Sequence, residues 1–166
     1  MLEKVVSDSS PLIALYQINR FSLLQKWYKQ IIIPEAVWQE LIVEGKESTD
    51  FFIEQRQKSF LHVEKVPLSS LLILLKREVD LGEAEAIQLA LTIKADLLLI
   101  DEKEARSLAR VYNLTMTGAL GILMRAKLED KIVSLSEEIN KLERVGFRIH
   151  PMLKQQILKE CKENDF

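Results

Sequence analysis

Short apolar runs alternate along this chain with longer stretches in which apolar residues recur at helical spacing. The short runs predict strands at 4–8, 31–33 (within "IIIP"), 60–66 ("FLHVEKV"), 97–100 ("LLLI") and 115–117 ("TMT"). The longer patterns predict helices at 11–18, 21–29, 34–44, 49–58, 69–78, 81–94, 102–112, 118–128, 135–144 and 151–163. "LLLI" has no polar alternation, which suits a strand buried on both faces, as in a parallel sheet. Strands separated by helices imply crossovers that place helices on both faces of one sheet. The expected fold is an α/β class, a three-layer α/β/α sandwich around a central, mainly parallel sheet of four or five strands. Five glycines and four prolines leave room only for short loops. No repeat, low-complexity stretch or linker interrupts the pattern. The chain reads as one domain over 1–166, with a core at about 3–150 and a C-terminal helix at 151–163.

In such a sheet, ligands bind beyond the carboxyl ends of the strands, so acids at those ends are the ones to collect. Asp8 follows the first apolar run and Asp101 follows "LLLI" directly. Between Asp8 and the next helix, Ser10 and Pro11 fit a helix N-cap with proline at the first helical position. That cap has no need of Asp8. In "PEAVWQELIVEG", Pro34 opens a helix and Gly45 closes it; Glu40 stands beside the apolar face of Ala36, Val37 and Leu41, while Glu35, Gln39 and Glu44 read as solvated. "DLGEAEAIQLALTIKAD" contributes Glu83 and Glu85. Asp80 with Glu83 fits a capping box, and so does Asp101 with Glu104. Each acid alone has an ordinary structural explanation. A capping box does not explain Glu85, nor why Gly82, Ala84, Ala86 and Ala90 crowd the first turns, where a close approach becomes possible.

Carboxylates converging in a low-dielectric crevice must take up protons or be neutralised by a cation. Oxygen-only ligands select hard ions such as Mg²⁺ or Mn²⁺. His62 and His150 are isolated, and a lone Cys161 excludes an internal disulfide and a zinc cluster. A net charge of −2 leaves no global basic footprint, so a nucleic-acid partner would be held by a local patch. Lys103, Arg106 and Arg110 on one helix, with Arg125 and Lys127 after the next strand, are candidates for such a rim; a solvated helix face explains them equally well. "LSSLLILL", the longest apolar run, is too short to span a bilayer, and Glu3 and Lys4 break the N-terminus before any signal-peptide core could form. A cytoplasmic protein with no membrane contact is expected.

"VVSDSSPLIAL", "IIIPEAVWQEL", "DLGEAEAIQLAL" and "LLLIDEKEARSLAR" stand in the order and approximate spacing of PIN-domain proteins. The chain most resembles the small prokaryotic PIN-like branch related to VapC-type toxins, over about residues 3–150. The resemblance implies a Rossmann-like sandwich and a ribonuclease using Mg²⁺ or Mn²⁺. It makes Asp8 the strand-end metal ligand, Glu40 the glutamate of the second motif and Asp101 the aspartate after the buried strand. The third motif departs: VapC-type toxins have an aspartate followed by alanine there, and this chain has "GEAEA", similar to the glutamate pair of the flap-endonuclease relatives. Glu83 and Glu85 are both kept as metal ligands, with Glu83 preferred because it borders the buried stripe. The resemblance also implies an RNA substrate, a homodimer and a small antitoxin partner. Two rivals stand beside the ribonuclease. One is an inactive PIN-like module that binds RNA or protein. The other, a phospho-accepting receiver domain, would need paired acids after the first strand, where Asp8 is followed by serines.

Overall fold

A computed structural model describes residue 2 and residues 4–163. The first half runs β1 (Val5–Ser7), α1 (Ser9–Gln17), α2 (Ser22–Trp27), β2 (Ile31–Pro34), α3 (Glu35–Leu41), α4 (Thr49–Gln57), β3 (Leu61–Glu64) and α5 (Ser70–Leu75). The second runs α6 (Leu81–Thr92), β4 (Leu97–Leu99), α7 (Lys103–Val111), β5 (Met116–Thr117), α8 (Ala119–Leu128), α9 (Leu135–Arg144) and α10 (Pro151–Glu160). All five strands are parallel, in the order β3-β2-β1-β4-β5.

Neighbouring strand residues serve opposite layers, because successive side chains point to opposite faces. Val5, Ile31, Ile33, Leu97 and Leu99 face the layer that contains α1, α2, α4, α8, α9 and α10. Val6, Leu98 and Ile100 face α5, α6 and α7. Both faces are covered, which is why "LLLI" shows no polar alternation. No helix among the described residues is long and apolar enough to cross a membrane.

Three expected helix ends are replaced. α3 stops at Leu41 with Ile42 as its C-cap, short of Gly45. α1 begins at Ser9 rather than at Pro11; its N-cap is Asp8, with extended backbone and no side-chain cap bond. Ser10 is therefore inside the helix. Pro11 is tolerated one turn in, because first-turn N–H groups have no intrahelical acceptor to lose. The Asp101–Glu104 box does not form: Glu102 is the N-cap of α7, and Asp101 bonds elsewhere. The Asp80–Glu83 box does form. His150 caps α10 through Nδ1, and the exposed His62 lies beside Glu64 on β3. Cys161 is buried and free.

The strand order makes β1 the turning point. The chain builds β2 and β3 on one side of it, then returns to add β4 and β5 on the other. In open α/β sheets the crevice opens outside the carboxyl ends at such a switch point. Here that is the gap between β1 and β4.

Candidate active site

Asp8 and Asp101 flank this gap. β1 and β4 are in register through Ser7 and Leu99, and the Asp8 N–H donates to Leu99 O at 2.9 Å. Both acids therefore stand at the same edge of the sheet. Asp8 is 2% exposed, and its Oδ1 has no hydrogen-bond partner. Burial pushes its pKa up to about 8; the Ser9 N–H pulls it down, and the charges of Glu40, Glu83 and Asp80 push it up again. Asp101 Oδ1 accepts from the Ala119 N–H at the start of α8, at 2.8 Å, and its Oδ2 is buried without a partner. Burial raises its pKa to about 6, against the Ala119 N–H and the Arg106 charge, with Glu102 raising it. Arg106 is fixed there by donating to Ile100 O at 3.0 Å.

Glu40 reaches the same edge from α3. Its carboxylate accepts the Ser9 hydroxyl, and burial raises its pKa first of all. It can do so because residue 82 is glycine: a Cβ there would stand 3.1 Å from Glu40 Cδ and closer still to Oε1. The close approach expected of Gly82 is thus made by the Glu40 carboxylate. Gly82→Ala is expected to push this flexible side chain off Ser9. The melting temperature should change little, while any activity that uses Glu40 falls. A large loss of stability in thermal melts, with activity per folded molecule unchanged, would contradict this.

The two glutamates of "GEAEA" go different ways. Glu83 is 6% exposed; its carboxylate accepts from the Asp80 N–H at 3.1 Å, and its own N–H donates to Asp80 Oδ1 at 2.8 Å. Burial raises its pKa to about 7, with the Asp80 N–H lowering it and the charges of Asp80, Glu102 and Glu40 adding to the rise. Glu85 turns toward α3 and accepts the Ala36 N–H at 3.0 Å, satisfying a first-turn donor of that helix. Its charge still reaches Glu40. Glu83→Gln is expected to lower activity at least about tenfold, while Glu85→Gln, which keeps an acceptor, is milder. Glu85→Ala should cost about 1 kcal/mol of stability as a lost helix cap. Matched kinetics and thermal melts on the three variants test the division, and the reverse order of activities would overturn it.

The acids share one edge but do not close on one point. Among the described residues, no three His, Cys, Asp or Glu side chains are grouped so as to hold a metal ion. Four of the five acids have a partner of their own: the Ser9 hydroxyl for Glu40, the Asp80 N–H for Glu83, the Ala36 N–H for Glu85 and the Ala119 N–H for Asp101. The donor chemistry still fits a hard divalent cation. It is all carboxylate, and Asp8 Oδ1 and Asp101 Oδ2 are buried with unused lone pairs.

Three neighbouring cavities share lining residues along this edge. A cavity of about 450 Å³ is lined by Ser10, Asp80, Glu83 and Glu102. A second, of about 530 Å³, shares Ser10 and Glu102 and reaches Asp101, Lys103, Phe147 and Arg148. A third, of about 740 Å³, shares those last four and continues between α7, α8 and α10. Lys103, Arg106 and Arg110 all line this third cavity. Arg125 and Lys127 do not join the rim. At the far end of α8, Arg125 lies over Trp27 at 4.1 Å and pairs with Glu129 at 2.8 Å, and Lys127 pairs with Glu163 at 2.8 Å. Sequence reasoning missed Ser9, the reach of the Asp80 charge, and Phe147 and Arg148. A second hydroxyl beside Ser10 was the only signal for any of them.

No curated protein matches this chain. A family model for the PIN domain, a nuclease-type fold whose members commonly use divalent metal ions, matches residues 4–163 and so takes in α10 as well as the sheet. The parallel sheet, with its acidic crevice at the switch point, is accordingly a PIN domain, and the chain belongs to that family.

Proposed function

We propose that the protein is a Mg²⁺- or Mn²⁺-dependent endoribonuclease, a hydrolase of RNA phosphodiesters related to the VapC-type toxins. The observation that supports it best is the pair of buried, unpartnered oxygens, Asp8 Oδ1 and Asp101 Oδ2, on adjacent strand ends. Asp8, Asp101 and Glu83 would hold the cation, with Glu85 at its margin. When bound, the cation supplies charge neutralisation, an activated water and stabilisation of the leaving oxygen. Glu40, steadied by the Ser9 hydroxyl, is suited to orient a water. Lys103, Arg106 and Arg110 line the same cavity as Asp101, where substrate phosphates would arrive. The test is Mn²⁺-dependent cleavage of single-stranded RNA by purified protein, lost on adding a chelator.

A second reading, an inactive PIN-like module that binds RNA or protein, is favoured by one observation: no three acids are grouped for a cation among the described residues. Metal binding separates the two. Mg²⁺ or Mn²⁺ is expected to raise the melting temperature of the wild type, with a stabilisation of about 2.7 kcal/mol at a hundred times Kd. The rise should vanish in Asp8→Asn. An equal rise in both proteins would count against a cation at this site.

The toxin reading brings a cytoplasmic location, a homodimer and a small antitoxin partner. A short neighbouring reading frame for a DNA-binding protein would support it. Sedimentation of the purified chain tests the dimer.

A further inference from the structure

The third cavity differs in character from the first, where Asp80, Glu83 and Glu102 stand. Four cations line it, Lys103, Arg106, Arg110 and Arg148, in a chain whose net charge is −2. Its acids are Asp101 at the inner end and Glu160 on α10. Lys103, Arg106 and Arg110 stand three and four residues apart on α7 and so share one helix face. Arg148 joins them from the segment between α9 and α10. Other cations of this region are committed: Arg125 to Glu129, Lys127 to Glu163 and Lys154 to Glu143. Lys103, Arg110 and Arg148 form no such pair among the described residues.

Between these charges the cleft is apolar. Leu120 and Met124 of α8 contribute to it, with Phe147, Ile149 and Leu153 beyond. Phe147 packs against the core and is partly exposed at the cleft it lines. Cations together with a partly exposed aromatic and an apolar floor match single-stranded nucleic acid, whose backbone follows the charges while its bases stack. A volume of about 740 Å³ has the scale of a small-ligand pocket, enough for a base with its sugar.

We infer that this cleft is the strand-binding channel of the enzyme: phosphates of one RNA strand lie on Lys103, Arg110 and Arg148, and a base stacks on Phe147 over Leu120 and Met124. The inference deepens the nuclease reading and rests on it for the choice of RNA. Phe147 and Arg148 belong to both the second and third cavities, so the segment that carries them sits where the channel meets Asp101. Arg106 is a positioning residue here, because its guanidinium is tied to Ile100 O beside Asp101.

The test uses fluorescence anisotropy with the full chain carrying Asp8→Asn, so that binding is read without cleavage. The probe is a labelled RNA of about ten nucleotides, free and annealed to its complement. The single strand should bind at least about tenfold more tightly than the duplex. Arg110→Glu with Arg148→Glu should weaken it by more than about thirtyfold and flatten its salt dependence. Phe147→Ala should weaken it about tenfold, and Phe147→Tyr should restore it, which separates stacking from a folding defect. Equal binding of duplex, or charge-reversed protein that binds as before, overturns the channel. So does binding only of an acidic peptide through the same residues. Cleavage by the wild type is scored separately. If it cleaves while the charge-reversed protein binds and cleaves equally well, the channel fails and the nuclease stands. If no cleavage occurs but binding falls as expected, the channel stands and the nuclease fails.

Discussion

Asp8→Asn and Asp101→Asn are each expected to abolish metal-dependent RNA cleavage while leaving the fold intact. Both substitutions keep shape and remove charge. Each removes a buried carboxylate oxygen that lacks a partner at this edge of the sheet, Asp8 Oδ1 or Asp101 Oδ2. Loss of a group that only orients a metal ligand costs about 10–100-fold, and loss of a ligand carboxylate should exceed about 100-fold. Asp101→Asn retains an acceptor for the Ala119 N–H if the amide oxygen takes the Oδ1 position, so α8 should stay in place. Cleavage assays with Mn²⁺, alongside circular dichroism, read both halves of the expectation. A variant that is folded and still cleaves within a few-fold of wild type would remove that aspartate from the mechanism.

The second large effect is on stability, and it runs opposite to the first. Asp8 has a folded pKa of about 8 against an ordinary 3.8, chiefly because it is buried. The folded state thus holds a proton that the unfolded chain releases. A raised carboxyl pKa gives stability that is complete below the unfolded value and is lost as pH rises through the folded one. For Asp8 the loss falls between about pH 4 and pH 8. Glu83, at about 7, and Asp101, at about 6, lose stability in the same direction over the same range. Asp8→Asn removes the largest of these penalties. Each pKa unit corresponds to about 1.4 kcal/mol, and relaxation reduces the sum, so the expected gain at pH 8 is on the order of 2–4 kcal/mol. At pH 4 it should be close to zero. Denaturant unfolding of metal-free wild type and variant at the two pH values decides the point. A gain that is equal at both would mean that charge is not its source. Proteins commonly gain stability in this way when a functional group held against its own preference is removed.

The backbone was largely legible before any coordinates. Apolar runs at 4–8, 31–33 and 97–100 contain or overlap β1, β2 and β4, because strands covered on both faces leave an unbroken apolar signature. Asp8 and Asp101 could be singled out because a residue directly after a buried strand sits at an edge whatever the rest of the chain does. Side-chain partners were harder to read. The Ser10–Pro11 cap was misplaced because the chain passes from β1 into α1 with only Asp8 between them, leaving no loop for a separate cap. Local spacing pairs Asp101 with Glu104, three residues on, whereas its partner is the Ala119 N–H across a strand and a turn. Spacing alone offers Glu85 no structural role, because its partner, the Ala36 N–H, lies on a helix far off in sequence. Local rules find local caps. A donor brought close only by folding is invisible to them, and that is also why four acids at one edge could not be resolved in advance into separate, partnered positions.

The strand order also has a consequence in time. β1 lies between β2 and β4, and Val5 is in register with Leu97. During synthesis, one side of β1 can pair as soon as β2 emerges, but the other must wait until more than half of the chain has left the ribosome. Parallel pairing across such a separation is intrinsically slow, because the loop entropy is spent before the contacts form. Asp8 is made early, yet the far wall of its crevice requires Asp101 and then the Ala119 N–H that fixes it. A nascent or truncated chain ending before α8 would hold both aspartates but lack the N–H that fixes Asp101, so the crevice takes its final form only late in synthesis.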